Sequence, residues 1–143
     1  MQFNRVNRTL AENVYVVVEN KEGATITTGL PVSYAPATSN DGVQATIANA
    51  AADYPAFIGF AVRDIPANDF GRVQVGGFVA SVLVSNAGTS ITINAGDPLV
   101  PSPAGVYSAA PTYANSGFKF LFASNVPAAV SAASYASGLF KLV

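Results

Sequence analysis

Gly71-Arg72-Val73-Gln74-Val75-Gly76-Gly77-Phe78-Val79-Ala80-Ser81-Val82-Leu83-Val84 is the stretch on which the reading of the fold rests. Arg72, Val73, Gln74 and Val75 alternate polar with apolar, the two-residue period of a strand that turns one face to a core and the other to water. Gly76-Gly77 reads as a turn signal. Beyond it, residues 78–84 are nearly all apolar, which predicts a central strand covered on both faces. Asn86-Ala87-Gly88 is a second turn signal, and Ser90-Ile91-Thr92-Ile93-Asn94 alternates again, so a three-strand meander is expected over residues 72–95.

Working outward, short segments rich in Val, Ile, Phe and Tyr recur between Gly, Pro, Asn and Asp, the pattern of an all-β chain. Strands are expected at 14–19, 25–34, 56–63, 71–75, 78–85, 90–95, 105–109, 118–122 and 138–143. The Ala-rich stretches 47–52 and 128–136 are candidates for one or two short helices, although Ser131, Ser134 and Ser137 suit a loop as well. Residues 35–45 read as a polar loop around Ser39-Asn40-Asp41-Gly42. The expected fold is a single compact β-barrel or sandwich over residues 13–143, preceded by an extended N-terminal arm, residues 1–12.

One internal echo stands out. Phe57-Ile58-Gly59-Phe60-Ala61-Val62-Arg63-Asp64-Ile65-Pro66-Ala67 aligns without gaps to Phe118-Lys119-Phe120-Leu121-Phe122-Ala123-Ser124-Asn125-Val126-Pro127-Ala128. Each copy runs on to a glycine-led segment, Gly71 to Val75 or Gly138 to Leu142. The echo predicts a strand, an Asx-type turn into proline and a return strand, used twice. Asp64, Ile65, Pro66, Asn125, Val126 and Pro127 are its turn and core candidates, with Ile65 and Val126 pointing inward.

Composition bounds the chemistry. The 143 residues include seven basic and eight acidic ones and no His, Cys or Trp. Serine-triad, thiol and zinc-thiolate chemistry all need residues this chain lacks. A carboxylate-pair hydrolase needs only two acids, but Glu19 and Glu22 flank Lys21 in a charged turn. Asp64 and Asp69 bracket Ile65-Pro66-Ala67-Asn68, where Asp64 suits a turn cap and Asp69 a pairing with Arg63 or Arg72. Asp64, Asn68 and Asp69 supply too few oxygens for a calcium loop, and Gly76-Gly77 lacks the Lys-Ser/Thr of a phosphate loop. The expectation is a non-enzyme with no cofactor and no metal.

A net charge of −1 offers no basic field for nucleic acid or anionic lipid. The apolar runs are too short to span a bilayer as helices, and the polar opening MQFNRVNRTL lacks a secretory core; synthesis in the cytoplasm is expected. A charged fraction of 10% is less than half the usual quarter. Such a surface is expected to be covered, by other copies of the chain or by a larger assembly. The nine Phe and six Tyr fall mostly at strand positions and are expected mainly in the core.

With those residues on the page, the chain resembles the capsid decoration proteins of tailed bacteriophages. The likeness rests on Pro55-Ala56-Phe57-Ile58-Gly59-Phe60-Ala61, Gly71-Arg72-Val73-Gln74-Val75-Gly76-Gly77 and Ile91-Thr92-Ile93-Asn94-Ala95-Gly96-Asp97-Pro98-Leu99. It is best over residues 25–109 and loose elsewhere. It implies a β-tulip or β-barrel fold and a homotrimeric virion protein on the capsid exterior, made in the host cytoplasm and clamping neighbouring major capsid subunits, often with an N-terminal arm. Phe3, Arg5 and Arg8 are the capsid-interface candidates in that arm. The rival reading is a fibre-tip or adhesion module whose loops 34–43 and 101–113 recognise a glycan, with Tyr107 and Tyr113 as stacking residues.

Overall fold

The computed structural model describes residues 13–35, 41–49, 53, 56–84, 98–101, 107–109, 121–125 and 134–140. Among these it contains nine strands and no α-helix: β1 (Val14–Asn20), β2 (Pro31–Tyr34), β3 (Gln44–Ile47), β4 (Phe57–Ala61), β5 (Phe70–Val84), β6 (Pro98–Pro101), β7 (Tyr107–Ala109), β8 (Leu121–Asn125) and β9 (Ser134–Phe140).

The first five close into a barrel. β1 pairs with β3 in parallel, β3 with β2, β2 with β4 and β4 with β5, all antiparallel, and the first part of β5 returns antiparallel to β1. Closure leaves no unpaired edge in this ring of strands. The remaining strands repeat the order. The second part of β5 pairs in parallel with β7, β7 with β6, β6 with β8 and β8 with β9, and β9 returns antiparallel to β5. β5 is therefore the last strand of one barrel and the first of the next.

Val18, Ile26, Val32, Ala45, Ala61, Ile65 and Val73 fill the first barrel, and all five of its strands contribute. Each large side chain so enclosed is worth roughly 1.5–3 kcal/mol relative to exposure. Two glycines permit the close packing. A Cβ on Gly59 would run into the Gln74 carbonyl, and one on Gly71 into the Ile65 side chain.

The expected meander is not what forms. Gly76-Gly77 is not a turn: the chain runs straight through it as one 15-residue strand. Two glycines remove the Cβ restraint, and Gly77 takes φ 91°, so the strand bends out of one sheet and into the other without reversing. The ladder skips a residue of β5 here, between Val14/Gly76 and Tyr15/Gln74. Residues 78–84 are not covered on both faces either: Phe78 and Ala80 are exposed while Val79, Val82 and Val84 are buried. The register shift between Val79 and Val82 changes which alternate residues point inward.

Other boundaries moved for recognisable reasons. The strand expected at 25–34 is a single bridge, Ile26 to Ile65, then a turn at Thr28 and Gly29 and only then β2. Gln44–Ile47 forms a strand where a polar loop and a helix start were expected, because β2 and β1 supply partners on both sides. Ser134–Phe140 is strand: its end agrees with the strand expected from 138, but its start at 134–136 falls where an Ala/Ser-rich helix or loop was expected. The expected strand 90–95, residues 50–52 and the arm 1–12 lie outside the described residues.

Candidate functional site

The predicted corner Asp64-Ile65-Pro66 proves to be a structural clasp. Asn20, fully buried at the end of β1, donates from Nδ2 to Ala24 O and Ile65 O, both at 2.7 Å, and its Oδ1 accepts from Glu22 N at 2.8 Å. Its backbone completes the clasp: Asn20 N donates to Asp69 O at 2.9 Å, and Asn68 N donates to Asn20 O at 2.8 Å. Asn68, at φ 60°, makes the left-handed step that lets the loop close. Ile65 points inward, 1% exposed, as expected.

Asp64 differs from expectation. Its carboxylate caps no amide of its own turn; Oδ1 accepts from Thr28 N at 2.8 Å and from Thr28 Oγ1 at 2.9 Å, bolting the corner to the turn before β2. These bonds, the backbone one foremost, hold its pKa below the ordinary aspartate value of 3.8. Asp69 accepts from Phe70 N at 2.7 Å, and the expected pairing with Arg63 or Arg72 does not form. The Arg72 guanidinium instead lies over the Tyr15 ring, 5.6 Å from its centroid.

Asn125 ends β8, while Val126 and Pro127 lie outside the described residues, as do Phe3, Arg5 and Arg8. The ladder nevertheless refines the echo. Pro31 opens β2 and Pro98 opens β6, and Pro31 faces Phe60 as Pro98 faces Phe122. Phe60 therefore corresponds to Phe122, one position beyond the sequence alignment, and Ala61 to Ala123.

Following that register round each barrel gives a second correspondence. Ala61 pairs with Val73, and Ala123 with Gly138; Val73 pairs with Val16, and Gly138 with Val79. Tyr15 and Phe78 thus occupy equivalent positions, one residue before Val16 and Val79. Phe70 and Tyr135 do likewise, three before Val73 and Gly138. Their exposures match: 41% for both Tyr15 and Phe78, 60% for Phe70 and 58% for Tyr135. Each barrel presents one such aromatic pair outward. On the first, Val17, 60% exposed and opposite Arg72, lies between the two.

These four aromatics were expected mainly in the core. The missed signal was parity: in Phe70-Gly71-Arg72-Val73 the aromatic shares the face of Arg72, not that of Val73. Chemically the faces can offer apolar contact and aromatic stacking. Among the described residues no three of His, Cys, Asp and Glu converge as metal ligands would.

The pairing order defines an all-β protein of two five-stranded circuits sharing one strand. No family model matches the chain, and no curated protein matches it. Among solved structures it is similar to the N base of the head fibre protein gp8.5 of bacteriophage phi29, with a TM-score of 0.57 and 17% sequence identity. That similarity covers 91% of this chain and 95% of the other. At this identity the likeness establishes a shared fold.

Proposed function

We propose that this chain is a structural protein of a phage particle that mounts on the outside of the shell and holds neighbouring major capsid subunits together. The observation that carries the reading is the pair of equivalent exposed aromatic faces, Tyr15 with Phe70 and Phe78 with Tyr135. A repeated footprint suits a partner that is itself repeated, and exposed aromatics clustered on a surface mark contact sites. The near-complete two-way coverage of a head fibre base supports the same reading. A base is an attachment end, which favours shell binding over glycan recognition at a tip.

In this reading residues 1–12 reach to the shell with Phe3, Arg5 and Arg8, and three copies assemble about a threefold axis. Co-sedimentation with purified shells tests it. The wild-type chain is expected to pellet with shells in a fixed ratio and to scatter light as a trimer when free. The double variant Phe70→Ser with Tyr135→Ser is expected to stay folded and lose at least tenfold in attachment. Undiminished attachment of a folded double variant would remove the aromatic faces from the interface, and no attachment by wild type would remove the function.

A further inference from the structure

Gln74 sits where β5 leaves the first barrel for the second, and its side chain is not on the solvent face that sequence alternation assigned to it. It is 6% exposed. Its Nε2 lies 3.1 Å from Gly76 O, 2.9 Å from Phe78 O and 3.1 Å from Asn13 Oδ1. The first two acceptors flank Gly77, so this one amide spans the bend. An open cleft lies beside it, lined among others by Thr28, Phe60, Val79 and Ser81. Farther along β5 the barrels touch where Gly29 packs against Ser81, Leu83 and Tyr135, with Leu83 N donating to Gly29 O at 3.1 Å. At the bend itself, the two adjacent glycines give the strand little stiffness of its own.

We propose that Gln74 is the positioning residue that sets the angle between the two aromatic faces, and that Asn13 competes with the bend for its amide. A primary amide has two protons, and three acceptors surround it here. When Asn13 takes one proton, Gly76 O and Phe78 O share the other; when Asn13 turns away, both bend carbonyls are served. Asn13 directly follows residues 1–12 and precedes Val14, which pairs with Gly76, so whatever engages that segment acts where the chain meets the bend, and Asn13 is its side-chain link to Gln74. The importance of the angle for attachment rests on the shell-binding reading, whereas the angle itself belongs to the free protein.

The chain has no cysteine, so spin labels placed by Val17→Cys and Tyr135→Cys, one per barrel, report only their own separation. Pulsed dipolar measurement on the free full-length protein, diluted with unlabelled chain, is expected to give one narrow distance distribution. Gln74→Met, which keeps the volume and removes both donors, should widen it at least twofold. Asn13→Ala should leave it as narrow or narrower, because both protons then serve the bend. An unchanged width in a folded Gln74→Met would overturn the proposal. So would an Asn13→Ala that widens the distribution as Gln74→Met does; this variant touches no core residue and keeps the test decisive if Gln74→Met fails to fold. Failure of the wild type to bind shells would leave these distances untouched and would count against the functional reading alone.

Discussion

The two barrels repeat one pairing order, and each closes through one parallel seam, which the described residues show in different detail. In the first, the short β1–β3 ladder is reinforced from both sides: Glu19 N donates to Val43 O and Lys21 N to Ala45 O, each at 2.8 Å. Beyond the backbone, Glu22 Oε2 accepts from Ile47 N at 2.9 Å. In the second, among the described residues, β5 meets β7 at one bridge, Val84 with Tyr107. The antiparallel return strand is long in both cases. Parallel pairing is slightly weaker per residue, so each barrel is closed least firmly at the same topological place, and the first carries a side-chain staple there.

The largest test of the comparison lies at the corner between the fourth and fifth strands. Ile65→Ala should destabilise the first barrel by about 2–5 kcal/mol, since it empties the space over Gly71 in a closed core. If the barrels are alike in side chains as well as strand order, Val126→Ala should show a comparable loss in denaturant melts. A full effect at Ile65 with none at Val126 would confine the likeness to the backbone.

A middle-sized effect is expected at the staple. Glu22→Ala leaves the Ile47 amide without its acceptor, a loss of about 1–3 kcal/mol, and should speed hydrogen exchange at Ile47 about tenfold or more while β5–β9 amides hold their rates. Uniform acceleration across both barrels would mean that they open as one unit and that the seams do not act separately.

The smallest effect belongs to Asp64. A carboxylate with a lowered folded pKa stabilises the fold above its unfolded value and loses that contribution as pH falls through the folded one. Wild type should therefore soften on acidification below the ordinary aspartate value of 3.8. Asp64→Asn should flatten that part of the stability–pH profile and change little at neutral pH, because the group is fully exposed. A profile of unchanged slope would show that the Thr28 bonds do not survive in solution.

Alternation made the first part of β5 legible in the sequence, with Val73 turned inward and Arg72 outward; β1, β4 and the second part of β5 were legible only as apolar runs between turn signals, which place a strand without saying which face is buried. Alternation failed where a partner decides the outcome. Gln44–Ile47 and Pro98–Pro101 are short, and the second is bounded by prolines; each is a strand because neighbours complete its ladder. Gly76-Gly77 was read as a reversal since local sequence cannot tell a turn from a bend when strands wait on both sides. Gln74 follows the polar phase of its strand faithfully, but the second barrel covers that phase at the junction. Nothing in the local sequence singles out Asn20, and only the fold brings the backbone of the corner to its amide.

Because β5 belongs to both barrels, the connection between them is an unbroken run of peptide bonds and not a docked surface. A force that pulls the barrels apart is carried along the strand axis, in tension, by covalent bonds, while the lateral hydrogen bonds on either side of Gly76-Gly77 are loaded only in shear. Such a joint can bend at its two glycines while the covalent strand holds, so under mechanical load the molecule should yield by shearing one barrel's ladder along β5 before the two halves part.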